Sequence, residues 1–287
     1  MSFGRFRAVT NGDCGRSRPL NSSLSPIAGS GGNEMLNFAL ETARMAGAVL
    51  LEKFGRGIDV TKKGEVNLVT EADLASERLI IDRISSHYPQ HLILAEESGQ
   101  TNIDSHSKWR WIIDPLDGTT NFAHGYPCFS VTIALEHEGK VVIGVTYDPT
   151  RDEMFGAERR RGAFLNNKPI RVSNTEKLID SLVVTGFPYA YTGDPRFIGN
   201  LNNFLLKSRG VRRDGSAAID LAYVACGRFD GFWEEGLNPW DVAAGFLLVE
   251  EAGGKISYYD GSPASIYRPP VCASNGAIHE QMLSILG

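Results

Sequence analysis

Residues 109–122, Trp-Arg-Trp-Ile-Ile-Asp-Pro-Leu-Asp-Gly-Thr-Thr-Asn-Phe, constrain the fold more than any other stretch of the chain. The apolar run Trp111-Ile112-Ile113 predicts a buried strand over 109–113. Asp114 ends that strand, and Pro115 holds the aspartate extended because the αR region is disfavoured before proline. Asp117 follows, and Gly118 supplies the backbone freedom for a sharp turn. Thr119, Thr120 and Asn121 then offer N-cap oxygens and orphan amides to a helix expected to start there. Paired carboxylates at a strand end give hard oxygen ligands for a cation, and a helix start gives amides for an anion. The combination points to metal-assisted handling of phosphate.

Taken alone, Asp-Pro and Asp-Gly are ordinary turn punctuation. Two more acidic groups in similar settings strengthen the functional reading. Glu96 and Glu97 follow the apolar run Leu92-Ile93-Leu94-Ala95 and precede Ser98-Gly99. Asp241 lies in Asn238-Pro239-Trp240-Asp241, which reads as an Asn N-cap, Pro at the first helical position and an acid in the first turn. A favourable interaction with the helix dipole would explain Asp241 by itself. The helix behind it, Val242 to Ala252, is apolar nearly all round and therefore expected to be buried, so this carboxylate stands at the mouth of a buried helix.

Trp111 to Phe122, together with Asn238 to Gly245, resembles the two signature motifs of the inositol monophosphatase family of lithium-sensitive, magnesium-dependent phosphatases. The resemblance runs from about Glu34 to the C-terminus. It implies a layered αβαβα sandwich of the inositol monophosphatase/fructose-1,6-bisphosphatase type, where periodicity alone yields only α/β or α+β. It also implies two or three Mg²⁺ ions. Glu96, Asp114 and the Leu116 carbonyl would hold one ion, and Asp114, Asp117 and Asp241 a second. A weaker third would lie near Glu96. Gly118 and Thr119 would present amides to phosphate, and Asp73 would pair with the Thr119 hydroxyl to position the attacking water. Read without the resemblance, Thr70 to Asp73 is a helix capping box. Lys62 would lie on a mobile loop near the metals, although a lysine pair before Gly64 is more simply a solvated loop. Glu234 matches the family position that contacts sugar hydroxyls, and Gly215, Ser216 and Ala217 match a loop and helix start bordering the substrate. Arg213 and Asp214 are candidates for the same rim.

Phosphate monoesters hydrolyse extremely slowly in water, so the site must lower a large barrier. Divalent metals can activate water and neutralise phosphoryl charge without a protein nucleophile. The chain agrees, having no Gly-x-Ser-x-Gly elbow, no Cys-x-x-Cys and no Walker loop. Its acids are spaced Asp-x-x-Asp, unlike the Asp-x-Asp of aspartyl-nucleophile phosphatases. The favoured substrate is inositol 1-phosphate or a similar polyol phosphate, since Thr120-Asn121-Phe122 resembles inositol-phosphate enzymes. Relatives acting on phosphoadenosine or histidinol phosphate more often carry lysine at the Thr120 position. Histidinol phosphate, fructose 1,6-bisphosphate or a 3′-phosphonucleotide are the alternatives. A regulatory binding protein on the same fold is the third reading, disfavoured by the full acidic set.

A chain of 287 residues can bury a substantial core as one large domain or two subdomains, expected at about 34–170 and 171–287. Net charge −5 and the lack of a basic stripe argue against nucleic acid as the main partner. No apolar run approaches a membrane span. Cys14, Cys128, Cys226 and Cys272 are widely spaced and look like reduced cytosolic thiols. A cytoplasmic protein is expected, and the family resemblance implies a homodimer. Residues 1–33 carry Arg5, Arg7, Arg16 and Arg18 against a single acid, Asp13. An organellar transit peptide has this composition, but a disordered extension or a start codon placed too early is favoured. His106 and His124 have no metal-ligand spacing and are taken as structural or solvated.

Overall fold

The computed structural model describes residues 34–55, 60–63, 67–101, 106–187, 195–267 and 270–287, with 60–63 and 67–69 described at backbone level. The elements run α1 (Glu34–Lys53), β1 (Val60–Lys63), β2 (Asn67–Thr70), α2 (Glu71–His87), β3 (Leu92–Ala95), β4 (Gly99–Thr101), β5 (Trp109–Asp117) and α3 (Thr119–Ala123). They continue with β6 (Ser130–His137), β7 (Lys140–Asp148), β8 (Glu153–Glu158), β9 (Gly162–Leu165), β10 (Lys168–Pro169), β11 (Leu182–Thr185) and α4 (Pro195–Lys207). The chain ends with β12 (Gly210–Arg212), α5 (Ala217–Ala225), β13 (Gly231–Glu234), α6 (Pro239–Glu251), β14 (Lys255–Ser257), β15 (Val271–Ser274) and α7 (His279–Leu286). The N-terminal arm, with Cys14, lies outside the described residues.

Two mixed sheets form the frame. One has eight strands in the order β10-β9-β8-β7-β6-β5-β3-β4, the other five in the order β12-β11-β13-β15-β14. Helices α1 and α2 cover one face of the large sheet, and α6 lies on the other beside α5. The α5/α6 pair also packs on the small sheet, whose far side is covered by α4 and α7 through Phe204, Trp233, Met282 and Ile285. This is the layered αβαβα sandwich. It explains why Trp111-Ile112-Ile113 is an unbroken apolar run: a sheet covered on both faces buries both sides of its strands. Trp111 packs against Phe38 of α1, while Ile112 joins the cluster around α5 and α6.

Several expectations need adjustment. The strand expected at 109–113 runs on to Asp117, because Asp114 pairs with Thr132 and Asp117 with Ser130, leaving Pro115 and Leu116 in a bulge. A bulge tolerates proline and redirects side chains. On α2, where helical spacing puts Leu74, Ile81 and Ile84 on the apolar face, Ile84 is buried as expected, but Leu74 is exposed and Ile81 half-buried, and Ile80 joins the core contact. On α1, where helical spacing puts Phe38, Leu40, Ala43, Ala46, Val49 and Leu50 on one apolar face, Phe38, Ala43, Ala46 and Leu50 are buried, but Leu40 and Val49 only partly. Lys62, expected on a loop, lies in strand β1 with its backbone paired to Leu68. Asn166-Asn167, a pair that suits a tight hairpin, forms that turn at φ 47° and 65°. Cys128, Cys226 and Cys272 are free thiols, and no described helix is long and apolar enough to cross a membrane.

The middle layer depends on a close backbone approach. A Cβ on Gly144 of β7 would lie 2.8 Å from the Ala244 carbonyl oxygen and 3.0 Å from its Cα, so only glycine lets α6 settle there. Gly144→Ala is expected to cost about 1–3 kcal/mol, read as a lower urea midpoint.

His279 gives a pH-dependent term. It is fully buried, with Nε2 2.8 Å from Ser257 Oγ and Nδ1 2.9 Å from Ser274 Oγ. Ser257 already donates to the Tyr258 carbonyl, so the ring donates from Nε2 and accepts at Nδ1. Burial lowers its pKa from 6.5 to about 4. As pH falls, the unfolded chain therefore takes the proton first. Stability from this group is complete above pH 6.5 and declines towards pH 4, by on the order of 2–3 kcal/mol. His279→Gln should be less stable at pH 7 but show a flatter stability profile between pH 4 and 6.5 in chemical denaturation.

Candidate active site

Parallel pairing of β3 with β5 sets Ala95 opposite Ile113, so Glu96 and Asp114 leave the sheet at neighbouring strand ends. The bulge then delivers Asp117, and the N-terminus of α6 brings in Asp241 from more than a hundred residues away. These four carboxylates wall a cleft of about 130 Å³, with Leu116, Gly118, Thr119, Ser216, Ala217 and Glu234 also in its lining. The carboxyl end of an open sheet is where such clefts usually form.

The charges are unbalanced. Burial and repulsion from neighbouring carboxylates push Glu96 up to about 8 and Asp241 up to about 7 and raise Asp114, while burial raises Asp117 against the hydrogen bonds it accepts. No lysine or arginine pairs with any of the four among the described residues. They are held by local donors instead. Asp114 Oδ1 accepts from the Leu116 amide at 2.9 Å, and Asp241 Oδ2 from the Asn238 amide at 2.6 Å. Asp117 Oδ2 accepts from the Ala218 amide at 2.9 Å and from the Ser216 hydroxyl. With oxygens turned to these donors, no three His, Cys, Asp or Glu side chains among the described residues converge on one ion position.

Thr119 connects the cleft to α2. Its Oγ1 is 3.1 Å from Asp73 Oδ1 and 3.0 Å from the Leu116 carbonyl oxygen, and its single proton can serve only one of them. Asp73 is fully buried and accepts through Oδ2 from the Thr70 amide at 2.9 Å. The capping box and the Thr119 contact thus coexist, one on each carboxylate oxygen. Gly118 has φ 96°, and a Cβ there would sit 3.0 Å from the Cys128 carbonyl oxygen. The side chains of Thr119, Thr120 and Asn121 do not cap the helix: Gly118 occupies the N-cap, and α3 is only five residues long. Asn121 instead ties two loops together, donating to the Cys128 carbonyl at 2.7 Å and the Asp214 carbonyl at 2.8 Å.

Glu234, for which exposure at a strand end is the simpler expectation, is buried in the cleft wall. Arg213 also lines the cleft, with its guanidinium 5.2 Å from the centre of the Phe187 ring. His106 and His124 are exposed. Sequence reading passed over Asp220, a buried carboxylate in the lining. The signal was a single acid inside the otherwise apolar helix Ala217–Ala225. Glu77 was missed too; it accepts from the Glu97 amide at 2.9 Å and so fixes the strand end that carries Glu96.

The inositol monophosphatase family model matches residues 32–286. The chain belongs to the inositol monophosphatase family. It is 46% identical over 256 residues to an inositol-1-monophosphatase of Synechocystis, covering 88% of each chain. It is 42% identical over 262 residues to Nus factor SuhB of Pseudomonas aeruginosa, covering 88% of this chain and 95% of that one. Among solved structures, the extragenic suppressor protein suhB of Bartonella henselae matches with TM-score 0.84 at 41% identity, over 88% of this chain and 98% of that one. Inositol monophosphate-bound SaIMPase-II matches with TM-score 0.74 at 28% identity, over 87% and 92% of the two chains. An IMPase/NADP phosphatase complexed with Mg²⁺ and phosphate matches with TM-score 0.73 at 26% identity, over 83% and 89%.

Ser216 ties the first motif to α5, capping that helix through the Ile219 amide and donating to Asp117. Ser216→Ala should therefore lose on the order of 1–2 kcal/mol in urea denaturation.

Proposed function

We propose that this protein is a Mg²⁺-dependent phosphomonoesterase that hydrolyses inositol 1-phosphate or a similar polyol or sugar phosphate. The observation that carries the reading is the set Glu96, Asp114, Asp117 and Asp241, gathered in one cleft with no basic partner among the described residues. Hard carboxylate oxygens that repel one another fit a small divalent cation. Glu96, Asp114 and the Leu116 carbonyl would hold one ion, and Asp114, Asp117 and Asp241 a second. When bound, Mg²⁺ supplies water activation and neutralises charge on the phosphoryl and leaving oxygens.

The chain's own groups do the positioning. With the Thr119 proton directed to Asp73, the Thr119 oxygen keeps a lone pair for the attacking water. The Gly118 and Thr119 amides open α3 and would face a phosphoryl oxygen. Gly215, Ser216 and Ala217 border the bound ester, and Glu234 would accept from hydroxyls of the alcohol. Lys62 belongs to a strand whose partner β2 leads directly into Asp73's helix, which supports a position near the site. A homodimer is part of the proposal.

Histidinol phosphate, fructose 1,6-bisphosphate and a 3′-phosphonucleotide are the competing substrates, and a panel of esters assayed with Mg²⁺, with and without lithium, separates them. Faster turnover of histidinol phosphate than of inositol 1-phosphate would reassign the substrate. Asp114→Asn or Asp241→Asn is expected to lower Mg²⁺-dependent phosphate release by on the order of a hundredfold or more. Mg²⁺ should also raise the melting temperature of the unaltered protein by relieving repulsion in the cleft, and do so far less in Asp114→Asn. Full activity in Asp114→Asn would remove the metal assignment.

A further inference from the structure

We infer that Ser76 and Glu77 of α2 are positioning residues that set the spacing between Glu96 and the Leu116 carbonyl, two groups assigned above to one Mg²⁺. The inference rests on the phosphatase reading and adds what holds those two groups in place.

Sheet pairing does not set that spacing. The β3–β5 ladder stops with Ala95 opposite Ile113, one residue short of both Glu96 and Asp114. Residues 96–98 then form a turn, and Pro115 and Leu116 lie in the bulge, out of register with β6. Helix α2 takes over where the ladder ends. Asp73, Ser76 and Glu77 share one face of it, at positions i, i+3 and i+4, and all three are buried. Ile80 and Ile84 continue that face into the core.

Ser76 is fully buried, and its hydroxyl donates to the Pro115 carbonyl at 2.8 Å. The same peptide group ends in the Leu116 amide, which donates to Asp114 Oδ1 at 2.9 Å. One peptide is therefore pinned at both ends, and its orientation directs both the Asp114 carboxylate and the Leu116 carbonyl that follows. Glu77 holds the other strand end. It accepts from the Glu97 amide at 2.9 Å, and the Ser98 amide and hydroxyl face the same carboxylate. No lysine or arginine pairs with Glu77 among the described residues. A buried carboxylate without a cation is costly, and the donors that face this one belong to the turn carrying Glu96. Two adjacent residues of one helix thus hold peptide groups from two different strands. Hydrogen-bonded groups behind metal ligands commonly change metal affinity by about 10–100-fold when removed.

Ser76→Ala removes one donor and changes no charge, so it separates spacing from Coulomb attraction. The Mg²⁺ concentration that gives half of the maximal rise in melting temperature should increase about tenfold in this variant. The Mg²⁺ requirement for hydrolysis of inositol 1-phosphate should increase with it, while KM for the ester at saturating Mg²⁺ stays within about twofold. Glu77→Gln keeps the length and one acceptor, and is expected to raise the Mg²⁺ midpoint at least about threefold. In the double variant the loss should be smaller than the product of the single losses, because either freed end already releases the spacing. Ser86→Ala, whose hydroxyl bonds the Asp82 carbonyl on the exposed side of the same helix, should leave the midpoint unchanged. A lower melting temperature of metal-free Ser76→Ala with an unchanged Mg²⁺ midpoint would overturn the inference and make Ser76 a purely structural residue. Losses that multiply in the double variant would overturn it too, by making the two anchors independent. No effect of Mg²⁺ on turnover or melting of the unaltered protein would instead overturn the phosphatase reading itself.

Discussion

Confining four carboxylates in one cleft is the constraint on which the rest of this structure depends. Each loses hydration on burial, and repulsion between neighbours adds to this at Glu96, Asp114 and Asp241, so all four are held above their ordinary pKa values. The fold opposes this with fixed dipoles. Backbone amides of Leu116, Ala218 and Asn238 each face one of the carboxylates, and every one of those amides belongs to a bulge, a helix start or a cap. Those donors are rigid because what lies behind them is packed. Because these oxygens face amides and not one common point, a cation would have to turn them towards itself on binding.

The middle helical layer supplies that rigidity. Helix α6 carries Asp241 at its start, and its residues Val242 to Val249 are all buried, between the large sheet and α5. The glycine contact of β7 with Ala244 brings helix and strand closer than any other residue would allow. Helix α5 begins at Ser216, which touches Asp117, and carries Asp220 one turn later. Both helices thus present their polar N-terminal turns to the cleft and bury the remainder. The wall that carries Glu234 and Arg213 is looser: Glu234 stands at a strand end, while Arg213 is exposed and lies against an aromatic ring.

Much of the site was legible because its residues sit where local chemistry is loud. Asp-Pro at a strand end, Asp-Gly at a turn and Asn-Pro at a helix start are short-range signals, and they marked Asp114, Asp117 and Asp241 correctly as acids at element ends. Asp220 and Glu77 were silent because their meaning depends on partners far along the chain: an acid within a helix reads as solvated until the helix is shown to be buried. The reach of β5 past Pro115 was hidden for a related reason, since a bulge is defined by the neighbouring strand. Leu74 was misplaced on α2 because period alone does not fix which arc of a weakly amphipathic helix turns inward.

The amino-acid sequence by itself determined the elements and the chemical character of the cleft: a doubly buried strand, two acid-bearing signature motifs and a helix apolar enough to need covering on every side. Those are consequences of hydrophobic period, backbone preference and donor type, all of which act over a few residues. The tertiary structure alone decided which acids face one another, which oxygen of Asp73 meets Thr119, and that Asp220 Oδ1 is buried without a hydrogen-bond partner. Distances between groups a hundred residues apart follow from sheet register and helix packing, and no local property of the chain encodes them.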